Sequence, residues 1–101
     1  MALFVAHHQH SPETCPAKDP QMGQMLLQHL SAESAATFGV TIHGEAVLDG
    51  RHELYIIAEA PDQLSMERFL QPFAAAGMVE VWPSSQCGAV VARGGCEVAA
   101  L

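Results

Sequence analysis

The alternation of apolar and polar positions along the chain predicts four β-strands. A run of β-forming residues from Leu3 to His10 predicts the first strand. Residues 40–48 alternate in polarity, and the turn signal Asp49-Gly50 joins them to a second run, Glu53 to Ala60. Two such runs around an Asp-Gly pair are typical of a β-hairpin. Val79 to Pro83 predicts the fourth strand.

Helical spacing appears twice between these strands. Asp19-Pro20 supplies an N-cap and a proline for the first helical position, so we expect a helix from Pro20 into the low thirties that fades through residues 31–37. Pro61-Asp62 opens a second helix, which Pro72 should kink and Gly77 should end. The methionines at helical spacing are interpreted as core-filling residues: Met22, Met25 and Met66.

The order β-α-β-β-α-β is typical of the α+β ferredoxin-like fold. Right-handed crossovers then predict a four-stranded antiparallel sheet in the order 4-1-3-2, with two helices on one face. We assign residues 1–87 to this domain and residues 88–101 to a C-terminal strand or tail. Gly88 to Ala92 could pair as an added strand with a second subunit, as in the dimeric α/β-barrel type.

Side-chain parity predicts which residues face the helices. The uniformly apolar positions are assigned to the helix side: Leu3, Val5, Val40, Ile42, Leu54, Ile56, Ala58, Val79 and Val81. The other positions would form an open sheet face of aromatic and titratable side chains: Phe4, Ala6, His8, His10, Thr41, His43, Glu45, Tyr55, Ile57, Glu59, Glu80 and Trp82. Because monomers rarely expose so large an apolar patch, we expect a homodimer.

Composition narrows the possible partners. The 101 residues carry 11 acidic and 4 basic side chains, a formal charge of −7, so nucleic acid and anionic membranes are excluded as expected partners. The chain has no apolar run of about 20 residues and no basic leader, so we expect a cytoplasmic protein. Three cysteines, an odd number, favour metal or redox chemistry over a disulfide framework.

Histidine is unusually frequent, with 6 in the chain. His8 and His10 lie two apart in the first strand, so their imidazoles share one side, and the three prolines around Cys15 predict a loop that can fold back towards them. His43 and Glu59 are expected on the same open face, so we expect a metal site on His8 and His10 that Cys15, His43 or Glu59 completes. Imidazoles with a thiolate suit Ni, Cu, Zn or Fe rather than Mg or Ca. The alternative is that these histidines only cover a sheet edge.

Topology adds neighbours to this candidate site. The predicted strand order places His10 beside His52, which starts the third strand, and keeps Cys87 at the other end of the sheet. Two other interpretations remain open. One is a small oxygenase or isomerase, with or without a metal, that acts on an apolar substrate. Glu59 or His43 would be its general base, and Tyr55 and Trp82 would line its pocket. The other is an interaction module without chemistry.

Several short motifs resemble a known family. His7-His8 in the first strand, the stretch from Tyr55 to Asp62, Ala76-Gly77 and Val79-Glu80-Val81 are similar to the nickel-responsive, metal-binding branch of small dimeric ferredoxin-like proteins. The resemblance implies a dimer that binds a transition metal near the histidines of the first strand. The loop around Cys15 departs from that pattern, so the ligand set stays open. Dimeric α/β-barrel monooxygenases are similar in architecture alone.

Overall fold

The computed structural model describes residues 1–98 as a four-stranded antiparallel sheet with helices. The strands are β1 (Ala2–His10), β2 (Thr41–Val47), β3 (Glu53–Ala60) and β4 (Gly77–Ser84), and the helices are α1 (Pro20–His29), α2 (Ala32–Ala36), α3 (Gln63–Phe69), α4 (Gln71–Ala76) and α5 (Cys87–Arg93). The sheet order is β2-β3-β1-β4. The α+β class and the predicted strand order are therefore confirmed.

Each predicted helix is divided into two shorter ones. Asp19 caps α1 by accepting a hydrogen bond from the backbone of Gln21 at 2.9 Å, as the Asp-Pro pair predicts. Ser31 then caps α2 by accepting one from the backbone of Ser34 at 3.2 Å. Pro72 lacks a backbone N–H and clashes with the preceding turn, so α3 ends at Phe69 and α4 starts anew.

The C-terminal segment differs from its prediction. Residues expected to add a strand form helix α5, which ends at Gly94 in a left-handed conformation with φ of 89°. The helix is only 7 residues long and contains no buried residue. The β-branched pair Val90-Val91 was the reason for predicting a strand, and this local preference does not decide the conformation. The last part of the predicted tail, residues 99–101, lies outside the described residues.

The hydrophobic core lies between the sheet and helices α2 to α4. Its largest fully buried side chains are Val40, Ile56, Met66, Phe69 and Leu70. Met66 fills the core as predicted, but the predictions for Met22 and Met25 were wrong, because both side chains are exposed on α1. Helix α1 has no fully buried residue, and Leu26 is its side chain that packs against the core.

The face assigned to β1 was wrong. Ala6 pairs with Ile56 of β3 and with Val81 of β4, and directly paired residues share a sheet face. Phe4, Ala6, His8 and His10 therefore point towards the helices, whereas Leu3, Val5 and His7 lie on the open face. Residues 3–6 are all apolar, so hydrophobicity alone does not distinguish the two registers. The assignments for β3 and β4 are confirmed by the buried Leu54, Ile56 and Ala58 and by Val79 and Val81.

A β-bulge changes the face of one predicted residue in β2. The register with β3 shifts between Ile42 and Gly44, so His43 is the extra residue. After the bulge Glu45 pairs with Ile56 and therefore lies on the helix side, where parity predicted the open face. His43 itself contacts Glu59 at 3.2 Å.

Three of the side chains predicted on the open face lie there: Tyr55, Ile57 and Trp82. Ile57 is 46% exposed and Trp82 is 42% exposed. Phe4 and Ala6 belong to the core instead. The homodimer and the barrel arrangement stay predictions. Within residues 1–98, no helix combines the length and apolar character needed to cross a membrane.

Gly77 allows β4 to approach the end of β1 closely. A Cβ atom at this position would overlap the Gln9 carbonyl and lie 2.9 Å from the His10 Cα. We expect Gly77→Ala to lower the free energy of unfolding by about 1–3 kcal/mol, the usual cost of overpacking, and to displace His10. Urea unfolding followed by circular dichroism measures this change. Gly44→Ala is the matched strand control, since its Cβ meets no atom within 4 Å, and an equal loss in both variants would contradict the prediction.

Candidate metal centre

Three side chains form a cluster at the end of β1, on the helix side of the sheet. His10, Cys15 and His52 each offer one ligand atom, and these atoms all lie within 4.8 Å of one another. All three residues are partly buried. Neutral imidazole nitrogen and thiolate sulfur are ligands of borderline and soft transition metals.

Two histidines of the cluster are positioned by backbone pairing. The His10 amide donates to the His52 carbonyl at 3.1 Å, which places the end of β1 beside the start of β3. Their rings meet edge to face with centroids 5.2 Å apart. Arg51 and Glu53, the residues on either side of His52, form an ion pair with each other. His7 Nε2 is hydrogen-bonded to the other oxygen of the buried Glu53 carboxylate at 2.9 Å.

Cys15 is held by the proline-rich loop between β1 and α1. Two short 3-10 turns, Pro12–Thr14 and Pro16–Lys18, flank the cysteine, so its backbone is extended between them. The Thr14 hydroxyl donates to the Ala76 carbonyl at 3.3 Å, which ties the loop to the end of α4. The prediction that this loop folds back towards the histidines of β1 is therefore confirmed.

A hydrogen-bonded pair of histidines fixes the tautomer of His10. His8 Nδ1 lies 3.0 Å from the Met78 carbonyl, which can only accept, so this nitrogen carries a proton. In neutral His8 the other nitrogen, Nε2, is then an acceptor, and His10 Nδ1, 3.0 Å away, donates to it. His10 Nε2 is left with a free lone pair. This atom is buried and has no hydrogen-bond partner among the described residues.

Burial keeps both of these histidines neutral. Desolvation lowers the pKa of His8, and the nearby His10 and His7 lower it further, although the hydrogen bond to Met78 acts in the opposite direction. Desolvation also lowers the pKa of His10, with His52 adding to the effect. Neutral imidazole is the form that binds metals, so these environments favour the ligating state.

The lowered pKa values predict a pH-dependent stability of the metal-free protein. Below the ordinary histidine pKa of about 6.5 the unfolded chain binds protons that the folded chain does not, so unfolding becomes easier as the pH falls. We expect urea midpoints to decrease from pH 7.5 to pH 5.5, and less steeply in a His8→Gln variant. A midpoint that stays constant or rises at pH 5.5 would contradict this expectation.

The structure separates the predicted site residues into two groups. His8, His10 and Cys15 come together, but on the helix side, so the predicted location on the open face was wrong. His43 lies apart from them, beside Glu59, and both side chains are roughly half exposed. Tyr55 stacks on His7 on the open face, with ring centroids 4.5 Å apart. The catalytic roles suggested for Glu59 and Tyr55 stay predictions.

His52 is the ligand candidate that sequence reasoning did not choose. Its position beside His10 was predicted from strand order and is confirmed, but its side chain was not counted among the ligands. His29 is engaged elsewhere in the fold, because its Nε2 donates a hydrogen bond to the Phe69 carbonyl at 2.6 Å. Cys87 and Cys96 are exposed, and Cys87 follows the opposite end of β4, as predicted.

The cluster opens into a cavity of about 280 Å³. His8, His10, Cys15 and His52 line it together with Arg51 and several apolar side chains. A bound ion would therefore be reachable by small molecules.

Comparison with known proteins adds no functional assignment. No protein-family model matches the chain, and no curated protein sequence matches it significantly. The functional argument therefore rests on the geometry of the cluster.

Proposed function

We propose that this protein binds one transition-metal ion through His10, Cys15 and His52. The observation that carries the proposal is the buried, unpartnered Nε2 of His10, since a buried polar atom without a partner is costly. A metal ion within reach of the three ligand atoms would satisfy it. His8 acts as a positioning residue, because its Nε2 accepts a hydrogen bond from His10 Nδ1 and so orients the ring.

The donor set favours particular metals. Two imidazoles and one thiolate suit Zn, Cu, Ni or Fe, and disfavour Mg and Ca, which prefer oxygen ligands. The resemblance to the nickel-responsive branch agrees with this class of ions. Of these metals, Zn typically keeps three protein ligands and one open position where it is reactive.

The ligand atoms can close around an ion with at most small movements. Tetrahedral zinc with Zn–N near 2.0 Å and Zn–S near 2.3 Å requires ligand atoms roughly 3.3–3.6 Å apart. The present atoms lie within 4.8 Å, so movements of about an ångström are enough. Side-chain rotations of this size are common on binding.

Proton release tests this site. His10 is already neutral at pH 7 because its pKa is lowered, whereas a free cysteine thiol is mostly protonated and must lose its proton to bind. We expect zinc binding at pH 7 to release about one proton per ion, and almost none in Cys15→Ser. Calorimetry in two buffers of different ionisation enthalpy counts these protons.

Cys96→Ser is the control for this measurement, since Cys96 is an exposed thiol outside the cluster. It should release the same number of protons as the wild type. Equal proton counts in the wild type and Cys15→Ser would remove Cys15 from the site.

A further inference from the structure

A second cavity of about 270 Å³ adjoins the one that holds the cluster. Four residues line both cavities, so the two are adjacent: His8, Pro16, Leu26 and Phe73. The second cavity is largely apolar. Both ring nitrogens of His8 are hydrogen-bonded, one to the Met78 carbonyl and one to His10. His8 therefore presents no free polar atom to the second cavity.

The outer wall of this cavity is made of exposed apolar side chains. Met22 is 51% and Met25 63% exposed, although both line the cavity. Covering such side chains with an apolar ligand is favourable, because burial removes their surface from water. Methionine also adapts its shape to different ligands. These features suit a flexible hydrocarbon chain.

We propose that this cavity holds the hydrocarbon tail of a short-chain carboxylate whose head group binds the metal. The inference rests on the proposed metal site. A divalent ion with one thiolate and two neutral imidazoles keeps one net positive charge and an open position, which a single carboxylate neutralises. Arg51 also lines the metal cavity, but its charge is paired with the Glu53 carboxylate, so the attraction for the head group comes from the ion.

The test uses the full chain loaded with cobalt and the straight-chain carboxylates from acetate to octanoate. Binding is followed by the change in the visible cobalt spectrum. If the tail enters the cavity, affinity should rise about fourfold for each added methylene until the cavity is filled. Calorimetric titration of the zinc-loaded protein with the same carboxylates measures their affinities independently.

A matched pair of variants locates the tail. Met25 and Leu27 are both on α1 and both 63% exposed, but only Met25 lines the cavity. Met25→Ser should weaken octanoate binding fourfold or more and leave acetate binding unchanged, whereas Leu27→Ser should change neither. Neither replacement touches a buried side chain.

The possible failures are distinguishable. A protein that does not bind cobalt would overturn the metal site and the inference with it. Cobalt binding with no dependence of affinity on chain length would overturn the carboxylate proposal alone. A chain-length dependence that Met25→Ser leaves intact would also overturn it, because the tail would then lie elsewhere.

Discussion

Cys15→Ser is expected to weaken zinc binding by more than a hundredfold. Loss of a residue that merely supports a ligand usually costs 10–100-fold in metal affinity, and loss of a ligand should cost more. Serine keeps the size of the side chain but is a poor ligand for borderline metals at neutral pH. Competition against a chromophoric chelator measures the change.

Cys87→Ser provides the matched control for this variant. Cys87 begins α5 and is exposed, at the end of the sheet away from His10. Zinc affinity in Cys87→Ser should equal that of the wild type. Similar losses in both variants would indicate a different thiol site or a general effect on folding, and urea unfolding distinguishes these two cases.

The second large effect is expected for His52→Ala, with a loss of zinc affinity also above a hundredfold. His43→Ala should leave affinity unchanged, because His43 contacts Glu59 instead of the cluster. Both histidines lie near the ends of the β2–β3 hairpin, so the comparison separates ligation from hairpin stability. The same chelator competition measures both variants.

The opposite result would favour the ligand set predicted from the sequence, in which His43 is a ligand and His52 is not. If His43→Ala lost the metal and His52→Ala kept it, the cluster described by the structure would not be the binding site. Loss in both variants with unchanged stability would indicate a second ion.

The sheet order could be predicted because few topologies satisfy the sequence. An Asp-Gly turn requires β2 and β3 to pair, and right-handed crossovers then restrict the positions of β1 and β4. The same reasoning placed His10 beside His52, which is the pairing that builds the candidate site. The prolines around Cys15 indicated a loop, and a loop in that position can return to the end of β1.

The face of β1 could not be predicted from polarity. Leu3, Phe4, Val5 and Ala6 are apolar at both parities, and His8 and His10 were assigned to the open face with the other titratable side chains. His8 is only 4% exposed. A polar ring can be buried there because hydrogen bonds to Met78 and His10 satisfy both of its nitrogens. Such pairing depends on residues distant in sequence, so local patterns do not reveal it.

The bulge in β2 could not be predicted from the sequence pattern either. One extra residue in a strand reverses the alternation that follows, and this moved Glu45 to the helix side. The expected set of open-face ligands was wrong for a different reason, because His8 and His10 point to the helix side while His43 stays beside Glu59.

Titration of the metal-free wild-type protein with cobalt tests the central claim most directly. The account predicts saturation at one ion per chain, with the intense visible bands of tetrahedral cobalt and a thiolate-to-cobalt charge-transfer band. The charge-transfer band should be absent in Cys15→Ser and present in Cys87→Ser. A wild-type spectrum with neither the tetrahedral nor the charge-transfer bands, or binding that does not saturate at one equivalent, would contradict it.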